Sequence, residues 1–149
     1  MGIVALVSIP TLAAADDSAT PAAADTAPPS AVEDFAYPNA DKILAERGVK
    51  LIKGDGNILL GECDGSAQQI KVIARHNQSV CFQASGTTGY ITLELDEVFY
   101  IETASHPITA DLTADGETQT VNVAEGGFKS VGEGVGGAPT VLVEIRVTG

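Results

Sequence analysis

The chain has 149 residues, 44% of them hydrophobic, with 20 acidic side chains against 8 basic ones and a net charge of −12. A surface of that sign repels nucleic acid and anionic membranes, so neither is expected as a partner. The length suits one domain with a modest core.

Residues 3–12 form an apolar run that leads into Ala13-Ala14-Ala15, a small-x-small cleavage pattern, with Asp16-Asp17 behind it. This is the layout of an export signal over 1–15. Lys42 is the first basic residue, so the positive opening of such a signal would lie upstream of Met1. The alternative is a buried N-terminal strand over 3–7. About ten apolar residues broken by Pro10 fall short of the ~20 that a membrane span needs. No cysteine follows the run, which removes lipid anchoring. The expectation is a secreted, extracellular, soluble protein.

Residues 16–34 are rich in Ala, Pro and Asp, and Val32 is their only large apolar side chain. Such a stretch buries too little apolar surface to offset its ordering entropy and reads as a disordered linker. Five of the 20 acids (Asp16, Asp17, Asp25, Glu33, Asp34) precede residue 35, which leaves 15 acids against 8 bases, net −7, in 35–149. The folded domain is expected over that range.

A short helix is signposted near its start. Asn39 is a candidate N-cap, Asp41 a first-turn anion, Ile43 and Leu44 an apolar stripe, Arg47 a last-turn cation and Gly48 the stop. Beyond it the hydrophobic period falls to two, the signature of half-buried strands. Runs are predicted at 49–53, 58–62, 69–74, 80–84, 89–95, 98–103, 108–113, 117–123 and 140–148. In the last of these Val141, Val143, Ile145 and Val147 are expected on one face. Val98-Phe99-Tyr100-Ile101 is apolar on both faces and reads as a central strand. Asp55-Gly56, Asp64-Gly65 and Asp115-Gly116 read as turns. Asp115-Gly116 is the strongest hairpin signal, and a hairpin also accounts for Asp55-Gly56. Together these predict a mainly β protein, an antiparallel β-sandwich of jelly-roll or immunoglobulin-like kind with one short N-terminal helix.

Cys63 and Cys81 are the only cysteines. Outside the cytosol an even count reads as a disulfide, and closing a loop of about 19 residues is worth ~3 kcal/mol in the chain-entropy model. A metal site built from Cys63, Asp64, His76 and Cys81 is the sharper alternative, but its spacing matches no common zinc pattern.

Other chemistry is sparse. Gly132-Glu-Gly-Val-Gly-Gly137 matches a dinucleotide fingerprint on paper, yet Ala138-Pro139 and a β-branched strand follow where a helix is required. Asp55-Gly56-Asn57 opens like a calcium loop but has Leu59 at a liganding position. Glu94, Asp96, Glu97 and Glu102 supply carboxylates for a glycosidase pair, although a solvated strand face gives the same row. A Ser-His-Asp set has only His76 and His106 to draw on. Asn77-Gln78-Ser79 is a glycosylation sequon. No catalytic residue, metal or cofactor is expected. For binding, Tyr90 and Tyr100 are the candidates to stack on a ligand, with core-edge placement as the plainer role.

The segment Tyr37-Pro-Asn-Ala-Asp-Lys-Ile-Leu-Ala-Glu-Arg-Gly48, the Gly54-Asp-Gly56 turn, the two cysteines and the ending Gly136-Gly-Ala-Pro-Thr-Val-Leu-Val-Glu-Ile-Arg-Val147 together resemble small secreted proteins of Streptomyces-type actinobacteria of unknown function. The resemblance covers about residues 37–149 and implies secretion. The last third is also broadly similar to carbohydrate-binding sandwiches, a likeness of fold from which the missing Trp departs. The expected function is a secreted non-catalytic binding or structural module for a polysaccharide, a cell-wall polymer or a protein. A coat or matrix component would pair through exposed edge strands. The alternative is a secreted protease inhibitor that presents loop 75–80 or 125–139.

Overall fold

The computed structural model describes residues 35–149, so the expected signal and linker lie outside the described residues. Among the described residues one α-helix, α1 (Ala40–Arg47), precedes nine strands: β1 (Lys50–Gly54), β2 (Ile58–Gly61), β3 (Gln69–Ala74), β4 (Gln78–Ala84), β5 (Gly89–Thr103), β6 (Ile108–Ala114), β7 (Glu117–Val123), β8 (Phe128–Ser130) and β9 (Thr140–Val147). All pairings are antiparallel, in the order β2-β4-β3-β5-β9-β6-β7, with β1 and β8 also on β5. The mainly β, antiparallel expectation holds. Among the described residues no helix is long and apolar enough to cross a membrane.

β5 organises everything else. The two strands predicted at 89–95 and 98–103 are one strand of 15 residues. Its first half lies between β1 and β9, its second between β3 and β8. Besides one register shift against β9 between Thr92 and Leu95, it carries two single-residue insertions at the junction itself. Leu95 is opposite Leu142 and Val98 opposite Thr140, so β5 has one residue more than β9. Val98 is then opposite Ala74 and Tyr100 opposite Ile73, one residue more than β3. Each bulge turns the pleat over once. Leu95, Val98 and Ile101, three apart each time, therefore all point into the core and are almost fully buried. The side chains of both halves enter one hydrophobic cluster with Ile58, Val72, Phe82, Ile108, Leu142 and Ile145, so the nine-stranded sheet is built around a single core, an arrangement consistent with the expected sandwich.

Several contacts fasten this junction. Glu97 has a left-handed backbone with φ 56°, and its carboxylate meets Arg75 at 2.6 Å while Arg75 also holds Glu133. The Thr140 hydroxyl, in a buried setting, donates to the Val98 carbonyl at 2.7 Å. The Val131 N–H donates to the Phe99 carbonyl at 3.0 Å. Gly134 lies so close to Phe99 that an added Cβ would stand 2.5 Å from the Phe99 oxygen. Gly132–Val135 is a single 3-10 turn, so the glycine-rich segment has no helix dipole to offer a pyrophosphate.

Several details differ from expectation. In β9 the buried side chains are Thr140, Leu142, Ile145 and Val147, not Val141 and Val143. Asp111 is opposite Glu144 but Leu112 is opposite Leu142, so one extra residue in β9 shifts the pattern. Asp55-Gly56 joins two strands that do not pair with each other and so is not a hairpin, because β1 pairs with β5 and β2 with β4. Asp115-Gly116 does close the β6–β7 hairpin, with φ 50° and 80°. Both values suit a type I′ turn, where glycine carries no Cβ penalty. Asn39 precedes α1 as expected but has φ 58° and makes no side-chain cap bond. Only Ile43 of the apolar stripe reaches the core, and Leu44 is exposed.

The Cys63–Cys81 disulfide is formed. It ties the exit of β2 to the middle of β4 and occupies the two sulfurs that a metal site would have used. The variant Cys63→Ala/Cys81→Ala is expected to keep its β circular dichroism while losing about 3 kcal/mol of stability in urea unfolding. Thr140→Val, which keeps the side chain's shape, is expected to cost about 1–3 kcal/mol in the same measurement because a buried hydrogen bond to the bend disappears.

Candidate functional site

The second half of β5 presents Tyr100 and Glu102 on its outer face, the alternates of buried Ile101 and Thr103. Across the ladder Glu102 is flanked by Lys71 on one side and Phe128 on the other. Phe128 and Tyr100 are therefore diagonal neighbours, a separation that aromatic rings span. Their rings are stacked with centroids 5.4 Å apart and planes 21° from parallel. Phe128 is 65% exposed, among the most exposed of the large apolar side chains.

Beside this pair runs a groove of about 320 Å³ lined by Gly65, Ser66, Gln69, Glu102, Phe128 and their neighbours. One wall is the turn before β3. There the Asp64 carboxylate accepts from the Ser66 N–H at 3.0 Å and from the Gln83 amide at 3.3 Å. Gly65 N–H donates to the Gln69 side-chain Oε1 at 2.9 Å, and the Ser66 hydroxyl donates to Gln83 Oε1 at 2.8 Å. The hydrogen bonds from Ser66 hold the Asp64 carboxyl below the usual aspartate range. The disulfide anchors the residue just ahead of this turn. The other wall is the approach to β8, where Gly126 N–H donates to the Ala104 carbonyl at 2.6 Å and Thr103 N–H to that of Gly127 at 3.0 Å. Both walls are thus built before any ligand arrives, as binding sites usually are.

The Tyr100 hydroxyl donates to Glu102 Oε2 at 3.0 Å. Desolvation pushes this phenol above the ordinary tyrosine range, and the hydrogen bond to Glu102 and its charge push the same way.

The two expected binding residues part company. Tyr90, ten residues before Tyr100, lies on the other side of the bend, half-buried, with the Arg146 guanidinium carbon 5.2 Å from its ring centroid. That cation covers the ring face a ligand would need. Tyr100 does not line the groove itself but stacks on Phe128, which does. Sequence reasoning missed Phe128, Ser66 and Gln69, and it saw Glu102 only as one of a row of carboxylates. One signal for Phe128 was there: it is the only large apolar residue between buried Val123 and Val131, so it had no periodic partner that would take it into the core.

The other constellations disperse. Glu94 pairs with Lys50 at 2.8 Å, Glu97 with Arg75, and Glu102 with Tyr100. His76 is exposed on the 3-10 turn Arg75–Asn77, in a left-handed conformation shared by Asn77 of the sequon. The His106 ring nitrogens meet the Gly149 oxygen at 3.1 Å and Gln68 Oε1 at 2.9 Å. Among the described residues no group of three or more His, Cys, Asp and Glu converges as a metal ion requires.

In ultraviolet titration, read as the difference from Tyr100→Phe, Tyr100 is expected to ionise above the ordinary tyrosine range. Its contribution to stability is then present below that range and lost as pH rises through the raised value. Glu102→Gln should bring the transition only part of the way down, since desolvation remains. No protein-family model matches the chain, and no curated protein matches it either.

Proposed function

We propose that this is a secreted, non-catalytic module that binds an extracellular or cell-wall polysaccharide at the Tyr100–Phe128 ledge. The observation that carries the reading is Phe128, an aromatic ring left 65% exposed yet stacked on a second ring at the lip of a hydrogen-bonded groove. Single exposed apolar residues are ordinary; a stacked pair set beside carboxylate, carboxamide and hydroxyl groups is a more specific arrangement. A sugar ring has one face of C–H bonds and a rim of hydroxyls. The C–H face suits an aromatic plane, and the rim suits Glu102, Gln69 and Ser66. Export is supported by the apolar leader and by the disulfide, which persists where the surroundings are oxidising.

The inhibitor reading gains less. Its two candidate loops contain compact 3-10 turns, Arg75–Asn77 and Gly132–Val135, the second closed further by Gly137 N–H on the Gly132 carbonyl at 2.8 Å. A segment threading a protease cleft needs extended backbone.

A pull-down with a panel of insoluble polysaccharides, paired with a protease-inhibition panel, tests the proposal. The protein is expected to bind at least one glycan, and Phe128→Ala to weaken that binding roughly tenfold with stability changed by less than about 0.5 kcal/mol, since the side chain is exposed. Retention of no glycan, or stoichiometric inhibition of a protease, overturns it.

A further inference from the structure

The groove contains one ionisable group, and it is a carboxylate. Its lining is otherwise Gly, Ser, Gln, Thr, Ala and Phe. Resting on the polysaccharide reading above, we propose that the groove selects glycans bearing protonated amino groups, and that Glu102 makes the selection.

Glu102 is aimed by its neighbours. Oε2 accepts the Tyr100 hydroxyl at 3.0 Å, while Oε1 has no hydrogen-bond partner among the described residues. The carboxylate stands beside Phe128 in the ladder, so a sugar stacked on Phe128 brings its rim to that free oxygen. A ring ammonium there forms a charge-assisted hydrogen bond, shorter and stronger than one from a neutral hydroxyl or acetamide. A uronic acid brings like charges together. No base among the lining residues offsets this. Lys71 flanks Glu102 from the β3 side, away from Phe128, and Lys129 is opposite core-facing Ile101 on the other pleat of β8. The longer-range field has the same sign, because residues 35–149 carry 15 acids against 8 bases. Polycations are drawn toward the domain and polyanions are held off.

The test is equilibrium binding at fixed ionic strength to three insoluble polymers: chitin, which is neutral, partly deacetylated chitosan, which is cationic, and cross-linked polygalacturonate, which is anionic. Wild-type protein is compared with Glu102→Gln, Phe128→Ala and Glu117→Gln. The last removes one carboxylate from the distant β6–β7 hairpin and so controls for net charge. Wild type is expected to favour chitosan over chitin by about fivefold, the size of one exposed charge contact, and to leave polygalacturonate unbound. Glu102→Gln should bring chitosan binding down to the chitin level and leave chitin binding in place, while Glu117→Gln keeps the preference. If chitin is bound through Phe128 with no preference for chitosan, or if Glu117→Gln erodes the preference as much as Glu102→Gln, the selection is overturned and the polysaccharide reading stands. If no polymer is bound, or Phe128→Ala binds like wild type, that reading falls and the selection with it.

Discussion

A strand that changes partners halfway along must still keep its apolar side chains on one side, and β5 meets that demand with two extra residues. One extra residue alone would turn the second half inside out, because a shift of one residue exchanges the faces of everything that follows, and the second restores them. One insertion between Leu95 and Val98 and another between Val98 and Tyr100 cancel in pleat but add in twist. The cost falls on the backbone at Glu97 and on carbonyls that leave the regular ladder. Arg75, Thr140 and Val131 meet those groups. Every other strand is joined to β5 directly or through intervening strands.

The same device sets what faces outward. Once Ile101 and Thr103 are committed to the core, Tyr100 and Glu102 have only the outer face. The chain then returns along the free edge of β5 as β8, three residues long, and places Phe128 opposite Glu102. A longer β8 would have needed an inward-facing apolar set. Val131, just past it, supplies the one inward contact and ends the pairing against Phe99. The aromatic pair exists because a short edge strand is laid against the second half of β5.

Much of this was legible in the residues. Period-two alternation at Ile91, Leu93 and Leu95 and at Ile108, Ala110 and Leu112 marks faces that are indeed buried, and Asp115-Gly116 closes its hairpin because its two left-handed positions suit the twist of the strands. Bulges leave no comparable mark. A one-residue insertion looks like noise in an alternating pattern, so β5 read as two strands and the first half of β9 as facing the wrong way, while Ile145 and Val147 were read correctly. The Asp55-Gly56 corner failed for a related reason. Asx hydrogen bonding, here Asp55 Oδ1 accepting from Asn57 N–H at 3.0 Å, stabilises the reversal, but which strands flank it is decided by long-range pairing. At the site the aromatic ring of Tyr100 was visible. The wall residues Ser66 and Gln69 were not, because they are brought to Phe128 across about 60 residues of sequence by the β3–β5–β8 ladder alone.

The modest aromatic supply also bears on how such a site works. With no Trp in the chain and one ring of the stacked pair 65% exposed, the proposed site would offer stacking to about one sugar unit, and small ligands gain limited free energy per atom. What the structure contributes instead is preorganisation. The turn at 64–66 is braced by four hydrogen bonds and by a disulfide one residue away, and the opposite glycines are held by backbone bonds to Ala104 and Thr103. Ordering costs are met on folding, not on binding. On a repetitive polymer a low per-site affinity still gives retention, since neighbouring sugar units act at high effective concentration. Rigid walls, a small ring surface and a repeating ligand are therefore mutually consistent. A soluble monosaccharide, lacking the repeat, would draw little from the same groove.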